Sequence, residues 1–174
     1  MTELPEFPEP TGETADASVL FVRYLDFYRE TVVRKMSALT GHELRTSRLP
    51  SGWTPIELLT HLVHMERRWL VWGFLGEDVD KPWGDSGGEG GDDRWYVPEG
   101  ATLDALVTEL RQVGERTTAV LGSHRLDEAG KPGGRFEDEP PTLAWICFHV
   151  LQEYARHAGH LDVAVELAEG PTGE

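Results

Sequence analysis

The stretch Glu153-Tyr154-Ala155-Arg156-His157-Ala158-Gly159-His160 places a carboxylate and an imidazole four residues apart inside a long helical pattern. Residues at i and i+4 share one helix face, about 5–6 Å apart at Cβ, so Glu153 and His157 can hold one ion together. Far upstream a second helical stretch, Thr54-Pro55-Ile56-Glu57-Leu58-Leu59-Thr60-His61-Leu62-Val63-His64-Met65-Glu66-Arg67-Arg68-Trp69, supplies a third ligand in His61. Two imidazoles and a carboxylate on two packed helices make a small divalent-metal site with open coordination positions.

The rest of the chain supplies the helices such a site needs. Leu20, Tyr24, Phe27, Tyr28, Val32 and Met36 recur at three- and four-residue steps and predict a helix from Ala15 to about Leu39, with Asp16 near its N-cap and Gly41 as its stop. Thr54 reads as the cap of the second helix, Pro55 as its first residue and Glu57 as the partner in a capping box. Leu58, His61, Leu62, Met65, Trp69 and Trp72 continue its apolar face. A third helix runs from Ala101 to about Leu121 behind Thr102, with Leu103, Leu106, Leu110, Val113 and Val120 inward. The fourth runs from about Pro141 to Ala168. No strand pattern competes, so the expected fold is an all-α four-helix bundle. It occupies residues 15–168, between a proline- and acid-rich leader (1–14) and a short tail (169–174). The connection from 76 to 100 carries Gly84, Gly87, Gly88, Gly90 and Gly91 beside Trp83, Trp95 and Tyr96. Loops this long are functional or disordered; its aromatics suit a pocket wall, and the reading is partial order.

At 174 residues the chain is one domain with room for a substantial core. Its mean hydropathy of −0.39 is that of a soluble protein. No apolar run approaches the ~18 residues of a membrane span, and the N-terminus lacks a secretory pattern, so the expected location is the cytoplasm. A net charge of −15 argues against a phosphate-backbone partner. Cys147 is the single cysteine, lies in an apolar stretch without an activating cation, and reads as a packing residue.

His61, His64, His149, His157 and His160 all fall in the second and fourth helices. Each alone reads as a structural histidine; their distribution over two facing helices is what points to a metal. His61 shares a face with Leu58, Leu62 and Met65, and a buried imidazole needs a partner. An inward Glu153 would be costly without a cation. His64 lies nearer the helix edge and could line the pocket. His160 has three open roles: fourth ligand, hydrogen-bond partner to a ligand, or structural anchor, with the hydrogen-bond partner or pocket lining placed first. Arg156 reads as a surface ion pair or a contact for an anionic substrate. Asp162 either orients a histidine or faces solvent.

The two motifs, Glu153-x-x-x-His157-x-x-His160-Leu-Asp162 and Thr60-His61-Leu-Val-His64-Met-Glu66-Arg-Arg-Trp69, resemble the DinB superfamily over about Ala15 to Ala168. The likeness is closest to its actinobacterial branch of unknown function. It implies an up-up-down-down bundle with a long second-to-third connection, often dimeric, holding one divalent metal through three side chains. The family's first ligand corresponds to His61. Its usual His-x-x-x-His pair is replaced here by Glu153 and His157, a variant similar to mycothiol-dependent maleylpyruvate isomerases, which bind zinc through two histidines and a glutamate. The resemblance therefore implies Zn2+, with Ni2+, Fe2+ or Mn2+ as substitutes, and mycothiol as thiol cosubstrate. Its partners would be a small-molecule electrophile and a low-molecular-weight thiol, with a homodimer as the inherited assembly. In that reading His64 or His160 assists proton transfer, Arg156 binds polar groups of the thiol, and Trp53, Trp83 and Trp95 wall the pocket. A hydrolase using metal-activated water and a non-enzymatic metal-binding or stress-response bundle are the competing readings. Closed coordination through His160 would favour a structural metal, and open positions a catalytic one.

Overall fold

In the computed structural model, which describes residues 16–87 and 94–170, Asp16 accepts the Ser18 N–H at 2.8 Å and opens helix α1 (Ala17–Ser37). The expected leader, residues 88–93 of the second-to-third connection and residues 171–174 of the tail lie outside the described residues. Helix α2 (Pro55–Arg67) begins as its sequence demands. Pro55 occupies the first turn, and the Glu57 carboxylate accepts the Thr54 N–H at 2.7 Å in a capping box. Helix α3 (Leu103–Ser123) is capped by Thr102, and α4 (Leu143–Leu167) by Thr142. Pro141 sits outside α4 rather than in its first turn, and its carbonyl accepts the Gly130 N–H.

The α-helical run expected to reach Trp72 changes character after Arg67. Residues Arg68–Phe74 form a π-helical stretch, a wider turn that is frequent at functional sites. Widening frees carbonyls, and the loop before α4 takes them up: Lys131 N–H donates to Phe74 at 2.8 Å and Arg135 N–H to Trp72 at 3.2 Å. A Cβ on Gly134 would fall 2.1 Å from the Trp72 oxygen, so this approach requires glycine there.

Helices α1 and α2 lie diagonally, each packed against both α3 and α4. Side-chain pairs fix the directions. Phe21 meets Phe148, and Lys35 meets Asp162, so α1 and α4 run parallel. His61 faces His157, Glu66 faces Tyr154 and Trp69 faces His149, so α2 opposes α4. Glu66 meets Thr117 and Phe74 meets His124, so α2 and α3 run parallel. The chain forms the expected all-α four-helix bundle, but its order is up-down-down-up rather than up-up-down-down. The physical reason lies in the connections: a parallel pair needs a crossover along the bundle's length, and the longest connection joins α2 to α3.

The core is aliphatic around Leu25, Met36, Leu58, Leu62, Leu70, Leu110, Ile146, Val150 and Leu161. Cys147 is buried there, as a packing residue should be. Several polar groups enter the core in mutually satisfied sets. Glu66, fully buried, accepts from Arg29 Nε at 3.0 Å, from the Tyr154 hydroxyl at 2.6 Å and from Thr117. Gly114 makes room for that Arg29 fork, since a Cβ there would lie 2.9 Å from its Nε. Asp162, left open between two roles by the sequence, pairs with the buried Lys35 ammonium. Among the described residues no helix is long and apolar enough to cross a membrane.

Candidate metal centre

Because α2 and α4 run antiparallel, the middle of α2 faces the middle of α4, and His61 meets Glu153 and His157. One donor atom from each lies within 4.8 Å of the other two. His157 Nε2 is 3.2 Å and His61 Nε2 3.6 Å from the same oxygen, Glu153 Oε2. His61 is held from behind. Its Nδ1 lies 2.9 Å from Asp85 Oδ2, and Asp85 is itself gripped by the Arg68 guanidinium. A carboxylate at Nδ1 makes that nitrogen the donor and leaves the Nε2 lone pair facing Glu153 and His157, as in carboxylate–histidine–metal relays.

His61 Nε2 is buried without a hydrogen-bond partner. An unsatisfied buried nitrogen is costly, and a cation beside Glu153 and His157 would satisfy it. Two imidazoles and one carboxylate match the donor set of open catalytic zinc sites, so the residues fit a divalent ion.

The electrostatics agree. The hydrogen bond from His157 and the adjacent His61 imidazole hold the Glu153 carboxyl well below its usual range. Burial alone would lower the His61 pKa, but its bond to Asp85 and the nearby Glu153 carboxylate outweigh burial and raise it. Burial would raise Asp85; its bonds from His61 and Arg68 override that and hold it down at about 2. Trp95 stacks on the His61 ring at 4.3 Å and meets His157 edge-on at 5.2 Å. Trp53 stands behind it, 6.5 Å from Trp95 and 6.2 Å from His160.

This chain's sequence matches the profile of the mycothiol S-transferase family over residues 20–170. The chain belongs to that family. Mycothiol S-transferases are DinB-like, in agreement with the resemblance read from the two histidine motifs. No curated protein matches the chain.

Within this mycothiol S-transferase family member, the remaining candidates spread around the cluster. His160 is exposed, its ring 5.6 Å from that of His157, and is not among the three grouped donors. His64 turns toward Arg67, whose Nη2 lies 3.0 Å from its Nδ1; burial, then Arg67, brings its pKa down to about 4. Arg156 is exposed on α4. Trp83 lies away from the cluster, its ring under the Arg68 guanidinium. Sequence reasoning missed Asp85 and Arg68. A metal-binding histidine generally needs an orienting carboxylate, but the second-to-third connection holds many acids and nothing in its pattern singles out Asp85. His149, read from the sequence as flanking Glu153 on its helix face, stands there, with its Nε2 3.8 Å from Glu153 Oε1.

Proposed function

We propose that this protein is a metal-dependent thiol S-transferase in which His61, Glu153 and His157 hold a divalent ion, zinc first, and mycothiol is joined to a small electrophile. The observation that carries the reading is the buried, unpartnered His61 Nε2, aimed by Asp85 at Glu153 and His157. Such an ion, when bound, supplies a Lewis acid with open positions that lowers the pKa of a thiol placed against it. The protein's own part is positional. Asp85 and Arg68 fix the His61 ring before anything binds, so little reorganisation accompanies loading. Trp95 covers the His61 face and keeps water from that side. Glu153 contributes a carboxylate already ionised at neutral pH. His160, at the exposed rim and next to His157, is placed to pass a proton to solvent. Exposed Arg156 is available to the polar groups of the thiol.

The test is elemental mass spectrometry on untagged protein with His61→Ala and His157→Ala, followed by thiol consumption with mycothiol and monobromobimane. Near-stoichiometric metal lost in both variants, with transfer that follows the metal, supports the proposal. Metal-loaded protein that hydrolyses esters but transfers no thiol would move the assignment to a hydrolase. Failure to take up any metal would remove the three-ligand centre.

A further inference from the structure

The fully buried cations of this bundle hold carboxylates: Arg29 has Glu66, Lys35 has Asp162 and Arg68 has Asp85. Arg135 does not. It is half-buried in the loop before α4, with its guanidinium carbon 4.0 Å from the Trp69 ring centre, 5.0 Å from Trp83 and 5.8 Å from Phe136. Its Nη1 is buried and has no hydrogen-bond partner. Burial and the like charge of Arg68 push its pKa down, with no acid among the described residues acting against them. In a chain of net charge −15 carboxylates are plentiful, so a guanidinium kept from them is a notable departure. Aromatic faces ease its burial but leave the buried Nη1 donor unmatched.

The location gives the departure a use. Trp69 carries Arg135 on one side and His149 on another, with ring centres 4.2 Å apart, and His149 lies 3.8 Å from Glu153. Arg135 and the three-donor cluster thus stand at two ends of one wall built from Trp69 and His149. The backbone holds the arrangement: Arg135 N–H bonds to the π-helical stretch that carries Trp69. We infer that Arg135 is a specificity-determining residue that receives the carboxylate of the electrophile, whose reactive carbon is turned toward His61, Glu153 and His157. The preferred substrates are then small carboxylate-bearing electrophiles. A guanidinium fork suits a carboxylate, which would supply the charge and acceptors that Arg135 lacks. This inference rests on the transferase reading for the reaction, but not for the binding.

The test separates the two. Tryptophan fluorescence is titrated with benzoate and with its neutral counterpart benzamide, on wild type, Arg135→Gln and Arg135→Lys, with thermal melts alongside. The expected result is preference for benzoate in wild type, weakened about tenfold or more in Arg135→Gln and less in Arg135→Lys, with benzamide unaffected. Equal binding of benzoate and benzamide by wild type would overturn the inference. So would a folded Arg135→Gln that melts lower yet binds benzoate like wild type, since Arg135 would then be only a clamp on its loop. Should Arg135→Gln fail to fold, the wild-type preference and Arg135→Lys decide. Turnover is read separately with mycothiol and 4-(bromomethyl)benzoate against the matching amide. There the thiol sulfur bonds the benzylic carbon as bromide leaves with the electron pair, and the thiol proton passes to buffer. No transfer to either compound, with Arg135-dependent benzoate binding intact, would refute the transferase and keep the carboxylate site.

Discussion

Replacing Asp85 tests whether the site is set by its supporting shell as much as by its ligands. Asp85 touches no candidate metal donor atom, yet it holds His61 Nδ1 at 2.9 Å and so directs Nε2 to Glu153 and His157. Loss of such a partner typically costs 10- to 100-fold in metal affinity, about 1.4–2.8 kcal/mol. Asp85→Ala adds a second effect, because Arg68, 5% exposed, would lose its counter-charge. An uncompensated buried cation costs about 3–5 kcal/mol of folding stability. Asp85→Asn removes the same counter-charge but keeps an amide oxygen that accepts one hydrogen bond, so it is the milder change. We expect Asp85→Asn to bind zinc about tenfold more weakly and Asp85→Ala to lose affinity and melt lower. The assay is competition against a chromophoric zinc chelator at fixed pH, with circular dichroism showing each metal-free variant folded. If folded Asp85→Asn binds zinc within about twofold of wild type, Asp85 does not orient His61 and the relay argument fails.

Glu66→Ala strips the buried carboxylate from Arg29, Tyr154 and Thr117. A loss of about 3–5 kcal/mol corresponds, for a chain of this size, to a Tm drop of about 6–20 °C. A thermal melt that moves by less than about 3 °C would show the network contributes little. Burial, with Glu66 nearby, pushes the Cys147 thiol up to about 12, so iodoacetamide at neutral pH should label it only after denaturation; rapid native labelling would contradict its place in the core. The raised His61 pKa has a sign that can be read in metal-free protein. Its contribution to stability is full below the ordinary value of 6.5 and lost as pH rises through the folded value. Wild type should therefore gain over His61→Gln as pH falls from 8 to 6 without metal, whereas zinc affinity should fall over the same range because protons compete for the imidazole. Parallel pH profiles for the two metal-free proteins would refute the raised pKa.

The helices were legible because their signals are local. Asp16, Thr54 with Glu57, and Thr102 each mark a helix start within a few residues of its partner, and the apolar steps of α1 to α4 report burial directly. His61, Glu153 and His157 were legible for a related reason: ionisable residues on apolar faces are conspicuous. Direction was another matter. Periodicity is the same whichever way a helix runs, and only the length of the α2–α3 connection bore on it. The π-helical turn was hidden because Arg68–Phe74 keeps an apolar pattern compatible with an ordinary helix. Asp85, Arg68 and Arg135 act through space, from loops or from a turn whose geometry depends on the loop packed against it.

The two ends of the connection that carries Asp85 and Trp95 are joined at a neck, where Tyr96 N–H donates to the Asp85 carbonyl at 2.9 Å. Both flanking side chains then close on His61, one by hydrogen bond and one by stacking. The backbone bond thus sets the spacing of the two residues that hold the His61 ring from two sides. An engineer who redesigns this connection for altered selectivity must keep the Asp85–Tyr96 backbone bond, because the placement of the His61 imidazole depends on it.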